Sequence, residues 1–173
     1  MEILCTSDLM YRGDFMFRVG YASDIHRLVS NRKLILGGVE IPFELGLLGH
    51  SDADVVYHAL GEAILGALAL GDLGTHFPDN DDKYLNMDSS IILSEIKKMM
   101  DEHNYVIQNL DISISLEKPK LKKYIQKMRE NISCILNTDI GNVSIKACTN
   151  EGVGEVGRQE ACIATAIVLL RKE

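Results

Sequence analysis

The feature that most constrains this 173-residue chain is the alternation of apolar and polar side chains in residues 108–116, which is strict from Leu110 onward. Leucine or isoleucine stands at 110, 112, 114 and 116, and aspartate or serine stands at the positions between them. Successive side chains of a β-strand point to opposite faces, so the segment predicts a strand with one buried face. Such a strand needs a sheet that other elements cover on one side.

Further segments show the periods of helices and of a hairpin. Apolar residues recur at helical spacing in Ser89–His103, which predicts a helix. The pattern of residues 51–70 predicts another helix. We expect this helix to begin at Ser51, which would cap it as part of a capping box. A third helix is expected to open at Pro119, because proline is favoured at the first helical position. Strand patterns on both sides of Gly37-Gly38 predict a hairpin.

The order of these patterns predicts an α/β (α+β) fold in a single domain. We expect a sandwich of a mixed four-stranded sheet with helices on one face, in a ferredoxin-like arrangement. Phe17–Tyr21 predicts the first strand, and residues 17–173 form the domain. Residues 1–16 show no clear period and are expected to be a disordered extension.

Composition excludes several functional classes. The net charge of −7 argues against nucleic-acid binding, which usually needs a basic face. The apolar runs are shorter than the roughly 18 residues that span a bilayer, so we expect no membrane insertion. The four cysteines form no C-x-x-C pair, which predicts free thiols in a reducing compartment.

Asp24, His26 and His58 are candidate metal ligands. Asp24 and His26 are two residues apart, so on an extended chain their side chains point to the same side. One carboxylate and two imidazoles would leave a fourth position open on zinc, as in catalytic zinc sites. A single histidine on a helix is more often a packed or surface residue, so spacing alone leaves both interpretations of His58 open.

Polar residues at both ends of the 51–70 helix are candidates for binding a ligand, and those before it suit an anion. His50 and Ser51 precede the helix, where backbone N–H groups and the helix dipole favour negative charge. Ser51 acting only as a cap is an equally good interpretation. Three aspartates after the helix could orient hydroxyl groups or a hard cation, but from the sequence alone an ordinary solvated loop is the preferred interpretation: Asp72, Asp79 and Asp81.

Residues 146–151 end a strand pattern and lead into a glycine-rich loop. Strand ends are where α/β proteins place many of their sites. Thr149 can donate a hydrogen bond to a phosphate, and Glu151 can hold Mg²⁺ or Mn²⁺ together with phosphate oxygens. The glycines match neither a dinucleotide fingerprint nor a P-loop, and an ordinary turn explains them equally well.

In this order, the motifs resemble the 2-C-methyl-D-erythritol 2,4-cyclodiphosphate synthase family, from about Phe17 to the C-terminus. The most specific are G-H-S-D-A-D at 49–54 and G-D-L-G-x-x-F-P-D-x-D at 71–81. Other matching segments are R-V-G-Y-A-S-D-I-H-R at 18–27, E-K-P-K-L at 117–121, V-S-I-K-A-C-T-N-E at 143–151 and G-R-Q-E at 157–160.

The resemblance implies an enzyme of the non-mevalonate isoprenoid pathway. Its substrate would be 4-diphosphocytidyl-2-C-methyl-D-erythritol 2-phosphate, and its products 2-C-methyl-D-erythritol 2,4-cyclodiphosphate and CMP. The 2-phosphate would attack the β-phosphorus within one molecule, assisted by Zn²⁺ and a second divalent cation, Mg²⁺ or Mn²⁺. The resemblance also implies a homotrimer with active sites at subunit interfaces. A bacterial cytoplasm and a plastid stroma, of the apicoplast or chloroplast type, are the expected compartments.

The resemblance also assigns roles to individual residues. It implies three zinc ligands: Asp24, His26 and His58. It implies one ligand for the second cation: Glu151. It implies two catalytic residues that stabilise the transition state: His50 and Thr149. It implies that the remaining residues bind the substrate: Ser51, Asp72, Leu73, Gly74, Phe77, Pro78, Asp79, Asp81, Leu116, Lys118, Pro119, Lys120, Leu121, Cys148, Asn150 and Arg158.

The chain departs from the family's usual pattern at a few positions. Ala22-Ser23 stand where Gly-Phe is usual, and Cys148 stands where threonine is common. Glu155 replaces a phenylalanine that often lines a central cavity of the trimer, which argues against an apolar ligand there.

Two other functions fit the same candidate ligands. A zinc-dependent phosphoesterase would use metal-bound water to attack phosphorus and would release phosphate. A non-catalytic trimeric module would hold a metal that has no open coordination position. The resemblance favours the cyclising lyase over both.

Overall fold

The structure, a computed structural model, describes residues 15–78 and 87–173. Its strands are β1 (Phe17–Ser30), β2 (Leu34–Leu36), β3 (Val39–Ile41), β4 (Leu45–Leu47), β5 (Tyr105–Ser115), β6 (Val143–Cys148) and β7 (Ala161–Lys172). Its helices are α1 (Val55–Leu68), α2 (Leu73–His76), α3 (Ser89–Glu102), α4 (Ile125–Leu136) and α5 (Gly154–Gly157), with a 3₁₀ turn at Ile140–Asn142. Among these described helices, none has the length and apolar character needed to cross a membrane.

The main sheet has five strands in the order β4-β1-β7-β5-β6. Strands β5 and β6 are parallel, and the other neighbouring pairs are antiparallel. The mixed α/β class predicted from the sequence is confirmed, but the prediction of four strands is wrong. The additional strand is β4, which pairs with the last three residues of β1. Three residues are too few to display an alternating pattern.

Asp54 holds the predicted hairpin against the start of α1. Gly37 and Gly38 form the turn between β2 and β3 with φ angles of 56° and 69°, and their amides donate to the Asp54 carboxylate at 2.9 and 2.7 Å. The same carboxylate caps α1 by accepting from the amides of Val56 and Tyr57. Burial raises the pKa of Asp54 to about 6, although the amides of Gly38 and Gly37 oppose this shift.

Two of the predicted helix starts are wrong. Ser51 does not begin α1, because Ala53 has a left-handed φ of 61° and the helix can form only after it. Pro119 does not open α4, which begins at Ile125. The intervening segment forms bends and turns, and Leu121 anchors it by packing into the core at 3% exposure.

Helices α1, α3 and α4 cover one face of the sheet, and α1 makes the closest approach. A Cβ atom added at Gly20 on β1 would lie 1.8 Å from the carbonyl oxygen of Ala63 and 2.9 Å from the Cβ of Ala67. Side chains of ordinary size would separate the two elements by several ångströms more. Small residues on both elements therefore bring the helix backbone almost onto the strand.

The opposite face of the sheet exposes apolar side chains. Val19 and Tyr21 on β1 are 69% and 65% exposed, and Ile25 on the same strand is 50% exposed. Ile167, on the neighbouring strand β7, is 47% exposed and pairs with Tyr21. A contiguous apolar surface of this kind is typical of an interaction site.

We predict that Gly20→Ala destabilises the fold by about 2 kcal/mol or more, because the added methyl group has no space against the α1 backbone. Thermal and urea unfolding followed by circular dichroism measure the change. Gly66→Ala is the matched control, because nothing lies within 4 Å of its added Cβ and alanine favours a helix. The prediction is wrong if the two variants unfold at the same denaturant concentration.

Candidate active site

Asp24, His26 and His58 form a compact cluster that could hold a metal ion. Asp24 and His26 lie on β1, and His58 lies in the first turns of α1. Asp24 Oδ2 is 2.9 Å from His26 Nε2 and 3.2 Å from His58 Nδ1. The two nitrogens are 3.1 Å apart. Ligand atoms bound tetrahedrally at zinc distances are about 3.3 Å apart, so the three atoms already have nearly the right spacing for one ion.

Mutual contact shifts the pKa values within this cluster. Burial tends to raise the pKa of Asp24, but hydrogen bonds and charge interactions with His26 and His58 bring it well below its ordinary value. Burial tends to lower the pKa of His26, but its contact with Asp24 raises it overall. Asp24 is therefore an ionised carboxylate at neutral pH, the form that binds a cation.

A backbone carbonyl orients the His26 ring. His26 Nδ1 lies 2.8 Å from the carbonyl oxygen of Leu48. A carbonyl only accepts hydrogen bonds, so Nδ1 carries a proton. A cation that displaces the proton on Nε2 would then meet the lone pair of that nitrogen beside Asp24 and His58. Metal-binding histidines typically have such a partner on their second nitrogen.

Cys162 lies next to the cluster without belonging to it. Its Cα is paired with that of His26 across β1 and β7, and its side chain is fully buried. Burial, together with the charges of Asp54 and Asp24, raises the pKa of the thiol far above its ordinary value. Cys162, Cys134 and Cys148 are free thiols, as predicted, and Cys5 lies outside the described residues.

Two cavities, of about 360 and 430 Å³, border the cluster. The described residues that line them include carboxylates but neither lysine nor arginine. The smaller cavity is lined by His26, His50, Ser51, His58, Leu73, Gly74, Phe77 and Ile92. The larger is lined by Ser23, Asp24, His26, His58, Glu62, Asp72, Leu73 and Gly74. An anion held there would need positive charge from another source.

The structure places His50 and Ser51 beside the cluster. Among the described residues, His50 Nε2 has no hydrogen-bond partner although it is buried, so it is available to a bound ligand. Ser51 is only 6% exposed; its hydroxyl accepts from the amide of Ala53 at 3.1 Å and lies 3.1 Å from His58 Nε2. Its hydroxyl therefore contacts the candidate ligand as well as lining the cavity.

The segment after α1 supplies one wall of both cavities. Asp72 caps α2 by accepting from the backbone and the hydroxyl of Thr75, at 2.8 and 2.6 Å. Phe77 is half-buried and Pro78 follows it at the end of the first described range. Two further predicted substrate residues lie outside the described residues: Asp79 and Asp81.

A third cavity, of about 540 Å³, lies between the turn before α4 and the end of β6. It is lined by Leu116, Pro119, Lys120, Leu121, Lys122, Ile125, Ala147, Cys148, Thr149 and Glu151. Backbone contacts join its two sides: the Leu116 amide donates to the Cys148 carbonyl at 3.0 Å, and the Asn150 amide donates to Glu117 at 3.2 Å. It therefore brings together several of the residues that the resemblance assigns to substrate binding: Leu116, Pro119, Lys120, Leu121 and Cys148.

Some of the predicted site residues are not brought together in one chain. Thr149 lines the third cavity and donates to Glu151, whereas His50 lines the smaller of the two cavities beside the metal cluster. Lys118 belongs to the turn beside the third cavity but is not among its lining residues. Arg158 is exposed and forms a two-pronged ion pair with Glu160, at 3.0 and 3.1 Å.

Sequence reasoning missed three residues at the site. Glu62 lines the larger cavity and accepts from the Leu73 amide at 2.8 Å. Its position four residues after His58, hence on the same helix face, is a signal that the sequence contains. Ile92 lines the smaller cavity, and Ser89 contacts His58 at 3.0 Å. Neither residue has a local motif that could have revealed its role.

The sequence profile of the YgbB family matches residues 17–171. The chain belongs to this family. The 2-C-methyl-D-erythritol 2,4-cyclodiphosphate synthase of Brachyspira hyodysenteriae is 59% identical over 155 residues, which are 90% of this chain and 98% of that protein. The resemblance inferred from the motifs is thereby confirmed.

Solved structures give the same result. The bifunctional IspDF of Campylobacter jejuni has a TM-score of 0.87 and 38% identity over 91% of this chain, which spans 42% of the length of that longer protein. IspF of Plasmodium falciparum, solved as a CDP complex, has a TM-score of 0.81 and 35% identity, with 91% of this chain and 97% of that chain covered.

We predict that His58→Ala removes tight zinc binding while the protein stays folded, because two ligands hold zinc much less firmly than three. Metal analysis after dialysis and a chelator competition titration measure the loss. His103→Ala is the control: this exposed histidine lies at the end of α3 and bonds to the Met99 carbonyl. Undiminished zinc content in His58→Ala would exclude His58 as a ligand.

Proposed function

We propose that the chain converts 4-diphosphocytidyl-2-C-methyl-D-erythritol 2-phosphate to 2-C-methyl-D-erythritol 2,4-cyclodiphosphate and CMP. The compact Asp24, His26 and His58 cluster is the observation that carries this proposal, together with membership of the family. Residues 17–173 form the catalytic domain of a phosphorus–oxygen lyase in the non-mevalonate isoprenoid pathway. The compartment, a bacterial cytoplasm or a plastid stroma, stays a prediction.

The reaction needs positioning and charge compensation rather than a protein nucleophile. An oxygen of the 2-phosphate forms a bond to the β-phosphorus, the bond from that phosphorus to the bridging oxygen breaks, and CMP leaves with the electron pair. Because both groups belong to one molecule, a site that holds the chain folded back on itself supplies much of the acceleration. A bound zinc ion would act as a Lewis acid that draws charge from the phosphate oxygens.

The residues around the cluster suit this chemistry. His50 Nε2 is buried and has no partner among the described residues. With a proton on that nitrogen, the ring can donate a hydrogen bond to the 2-phosphate. Ser51 closes the site beside it. Asp72 and the amides near Gly74 can orient the hydroxyl groups of the erythritol unit. Since neither lysine nor arginine lines the described parts of these two cavities, the positive charge for the diphosphate falls to the metal.

The third cavity suits the cytidine. The relative from Plasmodium falciparum was solved in complex with CDP, which contains the same nucleoside. In this chain, the lining residues Leu116, Pro119 and Leu121 offer an apolar floor, and Lys120 offers charge near a phosphate. The backbone groups around Cys148 can bond to base edges, while Lys118, Asn150 and Arg158 stay predicted substrate contacts.

A homotrimer with shared sites explains why two halves of the site are separate in one chain. One row of cross-strand pairs runs over four neighbouring strands, from Ile25 through Ile163 and Ser115 to Cys148. Strands are about 4.8 Å apart, so roughly 14 Å separate β1, which carries the metal ligands (the metal side), from β6, which borders the third cavity (the nucleotide side). Pairing the metal side of one subunit with the nucleotide side of the next would bring Thr149 and His50 to the same substrate. The exposed apolar sheet face is the surface that such assembly would bury.

The experiment that tests the function is incubation of the purified protein with the cytidylyl substrate, Zn²⁺ and Mg²⁺, followed by ³¹P NMR. Appearance of cyclic diphosphate and CMP in equal amounts supports the proposal. Release of inorganic phosphate would instead identify a phosphoesterase. An unchanged substrate, with zinc bound and no open coordination position, would identify a non-catalytic module.

We predict that Tyr21→Glu dissociates the trimer, because it places a charge in the surface that assembly would bury. Size-exclusion chromatography with light scattering measures the molar mass. Ile91→Glu is the matched control, since Ile91 is 49% exposed on α3 and lies away from this sheet face. A Tyr21→Glu variant with the wild-type molar mass would contradict this assembly surface.

We predict that Glu151→Gln mainly weakens the response to Mg²⁺ or Mn²⁺, because an amide binds a hard cation less strongly than a carboxylate. Turnover measured against Mg²⁺ concentration, at fixed Zn²⁺, should shift its midpoint upward by about tenfold. Glu155→Gln is the control, because Glu155 is an exposed glutamate on the short helix α5 that follows. An unchanged midpoint in Glu151→Gln would exclude Glu151 as the second metal ligand.

A further inference from the structure

The second ring nitrogen of His58 faces two buried hydroxyls. Nε2, on the side of the ring away from Asp24 and His26, lies 3.0 Å from Ser89 Oγ and 3.1 Å from Ser51 Oγ. Ser89 is the first residue of α3 and is fully buried. A helix distant in sequence therefore contacts the candidate metal ligand from behind.

Asp52 determines the direction of the Ser89 hydroxyl. Ser89 Oγ lies 2.5 Å from Asp52 Oδ1, and a carboxylate only accepts hydrogen bonds. Backbone groups hold this carboxylate in place, because it also accepts from the amides of Ser89 and Asp54, both at 3.2 Å. The amide of Asp52 donates to the Met87 carbonyl at 3.0 Å. The acceptor is thus fixed between the start of α1 and the start of α3.

The direction of this bond favours one position for the proton of His58. A serine hydroxyl has one proton, and in Ser89 it is directed to Asp52. The Ser89 oxygen is then left to accept a hydrogen bond, either from an N–H at His58 Nε2, 3.0 Å away, or from the Ser51 hydroxyl, 3.3 Å away. The other tautomer would donate from Nδ1 to Asp24 at 3.2 Å and leave lone pairs of Ser89 and His58 Nε2 facing each other at 3.0 Å, so Ser89 and Asp24 compete for the position of the ring proton. With the proton on Nε2, the lone pair of Nδ1 points to Asp24 and His26.

We propose that Ser89 and Asp52 are positioning residues that hold His58 in its Nε2–H tautomer and so present Nδ1 to the metal. The inference rests on the proposed function, because it assigns a purpose to a ring that binds metal. The carboxylate–hydroxyl–imidazole chain does for His58 what the Leu48 carbonyl does for His26. It also increases the electron density on Nδ1, which strengthens the bond to a cation.

A purely structural role for these residues predicts a different result. The bond from the Ser89 amide to Asp52 Oδ2 already joins α3 to the loop before α1, and Ser89→Ala keeps it. That variant removes only the hydroxyl. If the hydroxyl merely helped the helices to pack, its removal would lower the melting temperature without changing the tautomer or the zinc affinity.

The test uses the full-length chain, with Zn²⁺ as the probe in a chelator competition titration. We expect Ser89→Ala to bind zinc about 10- to 100-fold more weakly than the wild type. Asp52→Asn is a second variant that leaves Ser89 in place, and its effect should have the same direction. Ser94→Ala is the matched control, because this serine also lies on α3 and, within the described part of the chain, its hydroxyl donates to the Ser90 carbonyl alone. It should bind zinc as the wild type does.

A second readout needs neither metal nor activity. ¹⁵N NMR of metal-free protein, at a pH where imidazoles are neutral, should show a larger fraction of His58 in the Nε2–H form in the wild type than in Ser89→Ala, where the Asp24 carboxylate near Nδ1 favours the other tautomer without opposition from Ser89. A tautomer and a zinc affinity in Ser89→Ala that match the wild type would overturn the inference. Absence of zinc binding by the wild type would instead refute the proposed function, and the NMR result would still decide the role of Ser89.

Discussion

The site depends on how closely α1 lies against β1. Where Gly20 faces Ala63, there is no room for a Cβ atom, so the helix axis is drawn toward the strand. The helix runs antiparallel to the strand, and its N-terminal turns therefore lie over the next part of β1, where Asp24 and His26 project to the same side. His58 consequently reaches both residues within hydrogen-bond distance. A larger residue at position 20 would therefore move His58 away from Asp24 and His26 without any substitution of the three ligands themselves.

The second constraint on the site is the direction of its hydrogen bonds. Imidazole rings have two nitrogens, and distance alone does not say which one can bind a cation. At His26 a carbonyl fixes the answer, and at His58 a carboxylate favours one answer through an intervening hydroxyl. Both partners belong to backbone segments that pack against the core. The cluster is thereby organised before a ligand arrives, which reduces the reorganisation that binding would need.

Much of the fold could be predicted because local patterns matched the final environment. The alternation in β5, the Gly37-Gly38 turn and the helical spacing in α3 all report which side of an element meets the core. The same rule explains the misses. Alternation predicts β1 only as far as Tyr21, yet the strand continues to Ser30. The pattern is hidden in the second half of the strand because the polar Asp24 and His26 face a cavity, where the core would require apolar side chains. The pair Asp24-x-His26 could be found from spacing, whereas Ser89 could not, because its partners lie 31 and 37 positions away.

The burial of Cys162 has a consequence for the chemical character of the centre. Thiolates are the ligands that zinc binds most readily in structural sites, and this sulfur is the cross-strand neighbour of His26. Its dry surroundings keep it as the neutral thiol, which is both a poor ligand and a poor nucleophile. An ion held beside it therefore keeps a nitrogen-and-oxygen environment and the stronger electrophilic character that goes with it. The same protection makes the centre insensitive to oxidants that would attack an ionised sulfur.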